Sequence, residues 1–195
     1  LDFSFAIPLS THPPIHPSTY PRPWIKEVND MTEEQPSLLK ASEIENMAET
    51  EFHHPLNPNS EIYLRALGGV VGFGRIGVAI ARVPPGKESF IYHAHHNEEE
   101  WIYILSGRGV AEIGEREYEV EAGDFMGFGI PQPPHHLRNP FQEDLVYLMG
   151  GEKVRFDVGV FPRIEKRGIR DGDAAYLVDD SSLQNFWPVQ EPDAG

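Results

Sequence analysis

The 195-residue chain contains no cysteine. Disulfide staples, thiolate metal sites and cysteine nucleophiles are therefore excluded, and the absence suits a reducing compartment. Basic residues are scarce: 16 Lys and Arg stand against 31 Asp and Glu, a net charge of −15. A phosphate backbone or an anionic lipid surface calls for a basic face, so neither nucleic acid nor membrane is expected as a partner. No apolar run approaches the roughly 20 residues that cross a bilayer. The opening LDFSFAIPLS has no basic leader and no adequate apolar segment. A secretory signal is thus not expected and a cytoplasmic location is, while the missing initiator Met leaves the native start open. No segment of the chain repeats.

What the chain does have, first, is proline. The run THPPIHPSTYPRPW fixes φ and removes donors, so the first 36 residues should form an extended arm, with Trp24 and Ile25 as anchors and His12 and His16 at the surface. Ser42 with Glu45 three residues later suggests a capped short helix with Ile44, Met47 and Ala48 on its apolar face. His53 and His54 precede Pro55 in a turn and are expected to be exposed. From Glu61 the pattern turns β-like: EIYLRALG and RIGVAIARV read as strands, and Gly77, Ala79 and Ala81 leave one side of the second small enough for close approach of a sheet or ligand. VAEI and YEVE flank GERE as a hairpin, and FMGF, HHLRN, DLVYLMGG and VRFDVGVFP follow as short strands. The stretch after Arg163 is polar and turn-rich, and Phe186 and Trp187 should dock on the body. About eight to ten short strands with one or two short helices indicate an all-β antiparallel sandwich or barrel.

The chemistry gathers in HAHHNEEEWIYILSG, where three imidazoles and three carboxylates occupy eight positions, 93 to 100, before an apolar run. Imidazole nitrogen and carboxylate oxygen are the ligands of divalent first-row metals. Alternation in a strand puts His93 and His95 on one face, and the next strand aligns Glu100 with Ile102 and Ile104, with Trp101, Tyr103 and Leu105 opposite. Glu98 and Glu99 fall in the intervening turn and read as solvated, and His96 has the wrong parity. A fourth ligand should come from PPHHLRN, where His135 and His136 point oppositely and one of them faces inward.

These residues resemble the cupin superfamily, whose first motif reads G, five residues, HxH, three or four residues, E, six residues, G. His93, His95, Glu100 and Gly107 match its last three intervals, with Gly86 one residue too far upstream. The second motif reads G, five residues, PxG, two residues, H, three residues, N; Gly123, His135 and Asn139 fit it, which selects His135. Gly129 and Pro131 stand where the motif has proline and glycine, and the loop is one residue longer. The resemblance implies an antiparallel double-stranded β-helix, the jelly-roll barrel, over residues 61 to 162, preceded by the arm and helix in 1 to 60 and followed by an extension from 163 to 195. It implies one divalent transition metal (Fe, Mn, Zn, Ni or Cu) on His93, His95, Glu100 and His135, with two positions open, and a homodimer.

Three functions follow. The leading one is a metal-dependent enzyme acting on a small organic molecule inside the barrel by dioxygenase chemistry. The same site without redox change would serve an isomerase, decarboxylase or lyase. The third is a non-catalytic binder of a sugar-like ligand. No residue stands out as general acid or base: Tyr92, Tyr103, His136 and Arg75 lie near the motifs, and Arg75 or Arg82 could clamp a substrate carboxylate or simply sit at the surface.

Overall fold

The computed structural model describes residues 35–187. The arm, with Trp24, Ile25, His12 and His16, lies outside the described residues. In chain order the elements are α1 (Ala41–Glu45), β1 (Thr50–Phe52), β2 (Ile62–Arg65), α2 (Leu67–Val70), β3 (Ile76–Val83), β4 (Ala94–His95), β5 (Glu100–Ser106), β6 (Arg108–Ile113), β7 (Arg116–Glu121), β8 (Phe125–Phe128), β9 (His135–Arg138), β10 (Leu145–Glu152), β11 (Phe156–Phe161), β12 (Lys166–Asp171) and β13 (Ala174–Asp179). Short single turns of 3₁₀ helix follow β11 and β13.

The strands form three antiparallel sheets, ordered β1-β2-β3-β10-β5-β8, β13-β12-β11-β4 and β7-β6-β9. Period-two patterning decides which face turns inward. Ile62 and Leu64 from β2, Ala79, Ala81 and Val83 from β3, Ile104 from β5 and Leu145 and Tyr147 from β10 meet Ala111 and Leu137 of the small sheet in one buried cluster. Tyr147 lies opposite Ala81 in the β3–β10 register, so the small side chain makes room for the large one. Gly77, on the same face, lines an internal cavity.

Two motif residues prove architectural. Gly107 turns the chain between β5 and β6 at φ +76°, and a Cβ there would stand 2.1 Å from the carbonyl oxygen of Asp144. Only glycine meets both demands. Asn139 is fully buried; its amide donates to the carbonyls of Val83 (2.9 Å) and Glu143 (2.7 Å) and its Oδ1 accepts the Phe141 N–H, tying the loop between β9 and β10 to the end of β3.

Several expectations need correction. The first helix is capped two residues earlier: Glu43, not Glu45, accepts the N–H of the N-cap residue Lys40 at 2.6 Å, and Ala48 is exposed. The polar stretch after Arg163 holds two strands, because Gly172 at φ +58° closes a two-residue turn between Asp171 and Ala174. A Gly-Asp pair at the two turn positions, with glycine first, is a hairpin signal that polarity concealed. Phe186 and Trp187 do not dock; they are 85% and 75% exposed and pack edge-on against each other.

Candidate metal centre

His93 and His135 face each other across an isolated bridge. His93 N–H donates to the His135 carbonyl (3.0 Å) and His135 N–H to that of His93 (2.7 Å). This reciprocal pair sets the two side chains next to each other, with ring centroids 4.7 Å apart. β4 then carries His95 on the same side, its ring 5.0 Å from that of His93. Glu100, at the start of β5, lies among all three. Its Oε2 is 3.7 Å from His93 Nε2 and 3.3 Å from His135 Nε2, and its Oε1 is 3.7 Å from His95 Nε2. One ligand atom each from His93, Glu100 and His135 falls within 4.8 Å of the others, close enough for one cation.

The other ring nitrogen of each histidine is occupied. Nδ1 of His93 meets the carbonyl of Ile91 at 2.6 Å, Nδ1 of His95 meets Asp157 Oδ2 at 2.5 Å, and Nδ1 of His135 is 3.4 Å from the carbonyl of Pro133. Acceptors on Nδ1 fix the tautomer that carries its lone pair on Nε2, which is how proteins orient metal-binding imidazoles. Phe128 stacks on the His135 ring at 3.6 Å and 5°, holding its plane. Burial raises the pKa of Glu100, but hydrogen bonding to His135 and His93 and the charge of His95 outweigh it and hold the carboxyl far below its usual range. Burial alone would keep His95 neutral; Asp157 and Glu100 reverse that and raise its pKa. His135 shifts down through burial. Three imidazole nitrogens aimed at one ionised carboxylate form a donor set that fits a divalent transition metal.

Sequence reading missed one member of this arrangement and misjudged two others. Asp157 on β11, 62 positions beyond His95, is buried and also accepts the Asn97 N–H. Only the pairing of β11 with β4 brings it there. Glu98 is not a solvated turn residue: it is 5% exposed, its Oε2 is 3.8 Å from His95 Nδ1, it accepts the Val154 N–H, and it pairs with Arg170 of β12. Burial raises its pKa. His54 is half-buried and lines the cavity, unlike its exposed neighbour His53. His136 turns away from His135 as parity requires, and lies buried against Glu112 (3.3 Å) and Glu88 (3.5 Å) while still bordering the cavity. His96 is exposed.

The centre opens on a cavity of about 770 Å³. Phe52, Phe90, Ile102, Met126, Leu137 and Met149 give it apolar walls, and Lys153, Arg155 and Arg170 line it as well. Of the clamp and acid–base residues suggested by sequence proximity, His136 borders the cavity and the others do not. Arg82 pairs with Glu49 and Asp144, Arg75 and Tyr103 are exposed, and the Tyr92 hydroxyl donates to the Gly114 carbonyl beneath Arg163. No helix among the described residues is long and apolar enough to cross a membrane.

Comparison with known proteins follows the same lines. Residues 79–151, which span both histidine motifs, match the family described as Cupin domain. A solved protein of Acidithiobacillus ferrooxidans, provisionally assigned as a sugar phosphate isomerase, is 36% identical with a TM-score of 0.75, covering 77% of this chain and 97% of its own. A sugar phosphate isomerase of the cupin superfamily from Silicibacter pomeroyi is 20% identical with a TM-score of 0.66, over 74% and 94% of the two chains, and shows the fold alone. An uncharacterised protein of Methanocaldococcus jannaschii is 37% identical over 62 residues, which are 32% of this chain and 48% of that protein, so the match spans about half of its length. The family match over the motifs, the 36% identity across nearly the whole of a solved relative and the antiparallel barrel around the histidines together show that the chain belongs to the cupin superfamily, as a Cupin_2-type member.

Proposed function

We propose that this cupin is a metal-dependent enzyme that isomerises a small hydroxy-carbonyl compound of the sugar phosphate type, through a divalent transition metal held by His93, His95, Glu100 and His135. The observation that carries this reading is the convergence of three Nε2 atoms on Glu100 at a cavity large enough for such a substrate. The likeness to the Acidithiobacillus protein supports the reaction class. Lys153 supports the substrate class as a lining cation that can meet a phosphate; Arg155 and Arg170 also line the cavity but pair with Asp171 and Glu98.

A bound divalent metal would polarise a carbonyl oxygen as a Lewis acid. The residues of the chain do the rest. Asp157 and the carbonyls of Ile91 and Pro133 hold the three rings in place, so the donor set is organised in advance. The apolar walls exclude water and strengthen electrostatic interactions at the polar end. Those same walls favour a second reading, dioxygenase chemistry on an apolar substrate with a redox-active metal.

Elemental analysis of purified protein should find close to one transition metal per chain; a well-folded, metal-free protein that takes none up would sink both readings. With the metal-loaded protein, exchange of the substrate C–H for solvent deuterium, followed by NMR over a panel of aldose and ketose phosphates, indicates isomerisation. Oxygen uptake by the iron form without such exchange would instead select the dioxygenase. Binding without either would leave a ligand-binding barrel. A homodimer is proposed on the family likeness, to be tested by light scattering.

A further inference from the structure

His54 belongs to none of the cupin motifs, yet its ring is on the cavity wall. The loop that carries it is ordered by hydrogen bonds within it. The His54 N–H donates to Ser60 Oγ at 3.1 Å, and the Asn57 N–H donates to the His54 carbonyl at 3.0 Å. His53 is drawn outward by the Ser60 carbonyl and Glu51, so the two adjacent imidazoles point apart. Phe52 and Phe161 meet the His54 ring edge-on, at 6.3 and 6.1 Å between centroids, and confine it.

One hydrogen bond decides the tautomer. The Leu56 backbone N–H donates to His54 Nδ1 at 3.2 Å, so Nδ1 must be the acceptor and the ring hydrogen must reside on Nε2. A second proton on Nδ1 would set N–H against N–H. Burial, helped by the charge of nearby His93, likewise keeps the ring neutral, its pKa brought down to about 4. Nε2–H has no acceptor among the described residues, and it is not one of the atoms sealed in the protein interior. A neutral imidazole thus offers one unspent donor to the cavity that the metal centre shares.

We propose that His54 is a substrate-binding residue, whose Nε2–H donates to an oxygen of the molecule held at the metal centre. The inference rests on the proposed metal-dependent function. It assigns the substrate a second recognition point beyond its metal-bound oxygens, and the ring acts as a fixed donor with no proton transferred. The chemical class it favours carries a carbonyl, enolate or hydroxyl oxygen within reach of the loop of residues 53–60, on the side of Phe52 and Phe90.

The test uses the full chain loaded with Co(II), in wild-type, His54→Leu and His54→Gln forms. The probe is acetohydroxamate, a planar chelator with two adjacent oxygens like those of an enediol. Co(II) affinity and the visible spectrum should be the same in all three, since His54 is not a ligand. Acetohydroxamate should bind about tenfold or more weaker to His54→Leu, the cost of one hydrogen bond to a charged oxygen. His54→Gln, which keeps an N–H donor, should recover most of that loss. Equal probe affinity in His54→Leu overturns the proposal, as does loss of Co(II) binding in that variant, or a Gln variant as weak as Leu. A wild-type protein that takes up no Co(II) overturns the underlying metal reading instead. One that takes up Co(II) but not the probe overturns the idea that the cavity admits an oxygen chelator, and this inference with it.

Discussion

At the scale of single residues, the outer partners of the histidines matter as much as the ligands. His95→Ala should abolish metal loading, read by elemental analysis, while circular dichroism keeps its β signature, because His95 is mounted on a separately packed scaffold. Asp157→Asn keeps the shape but weakens the acceptor on His95 Nδ1, and should cost about 10–100-fold in metal affinity. His54 gives a pH signature in the metal-free protein. Its folded-state pKa of about 4 lies below the unfolded value of 6.5, so the unfolded chain binds the extra proton as pH falls between them. Stability from this residue is therefore present above about pH 6.5 and is lost toward pH 4. His54→Gln should flatten the urea-unfolding difference between about pH 7 and pH 5 by on the order of 1 kcal/mol, given its partial exposure. The four candidate ligands were legible in the sequence, three through HxH spacing and strand parity and His135 through the motif interval to Asn139, all of which act locally. Asp157 was not, since nothing local distinguishes it from the other carboxylates.

At the scale of elements, the β12–β13 hairpin is what the sequence concealed most. Every second residue of Lys166–Asp171 is not apolar, so period-two reading had no contrast to work with. The register across Gly172 and the pairing to β11 made the strands. The hairpin returns Arg170 to Glu98, linking the C-terminal segment to the loop between β4 and β5. Arg170→Met would leave a buried carboxylate without its cation and should destabilise by about 1–2 kcal/mol, less than a fully buried pair because Arg170 is itself 40% exposed. Adding Glu98→Gln should recover part of that loss in a double-mutant cycle of urea midpoints. Gly107→Ala tests the β5–β6 turn. Positive φ and the Asp144 carbonyl together should cost roughly 2 kcal/mol or more, visible as a lowered melting temperature.

For the whole molecule, the metal and the fold are linked. A ligand that binds only the folded state stabilises it by RT ln(1 + [L]/Kd), about 2.7 kcal/mol at a hundredfold excess over Kd. Chelation should therefore lower the melting temperature of the loaded protein, and restoring the metal should return it; an unchanged midpoint would count against a bound ion. By itself the sequence determined the fold class, the four candidate ligands and the glycine that ends β5, because alternation, HxH spacing and turn glycines are local properties of the chain. Only the tertiary structure decided that His93 and His135 face each other, that Asp157 and Glu98 flank His95, and that His54 enters the cavity wall while His53 leaves it. Those outcomes depend on which strands pair and at what register, and pairing is settled by the joint burial of residues far apart in the chain.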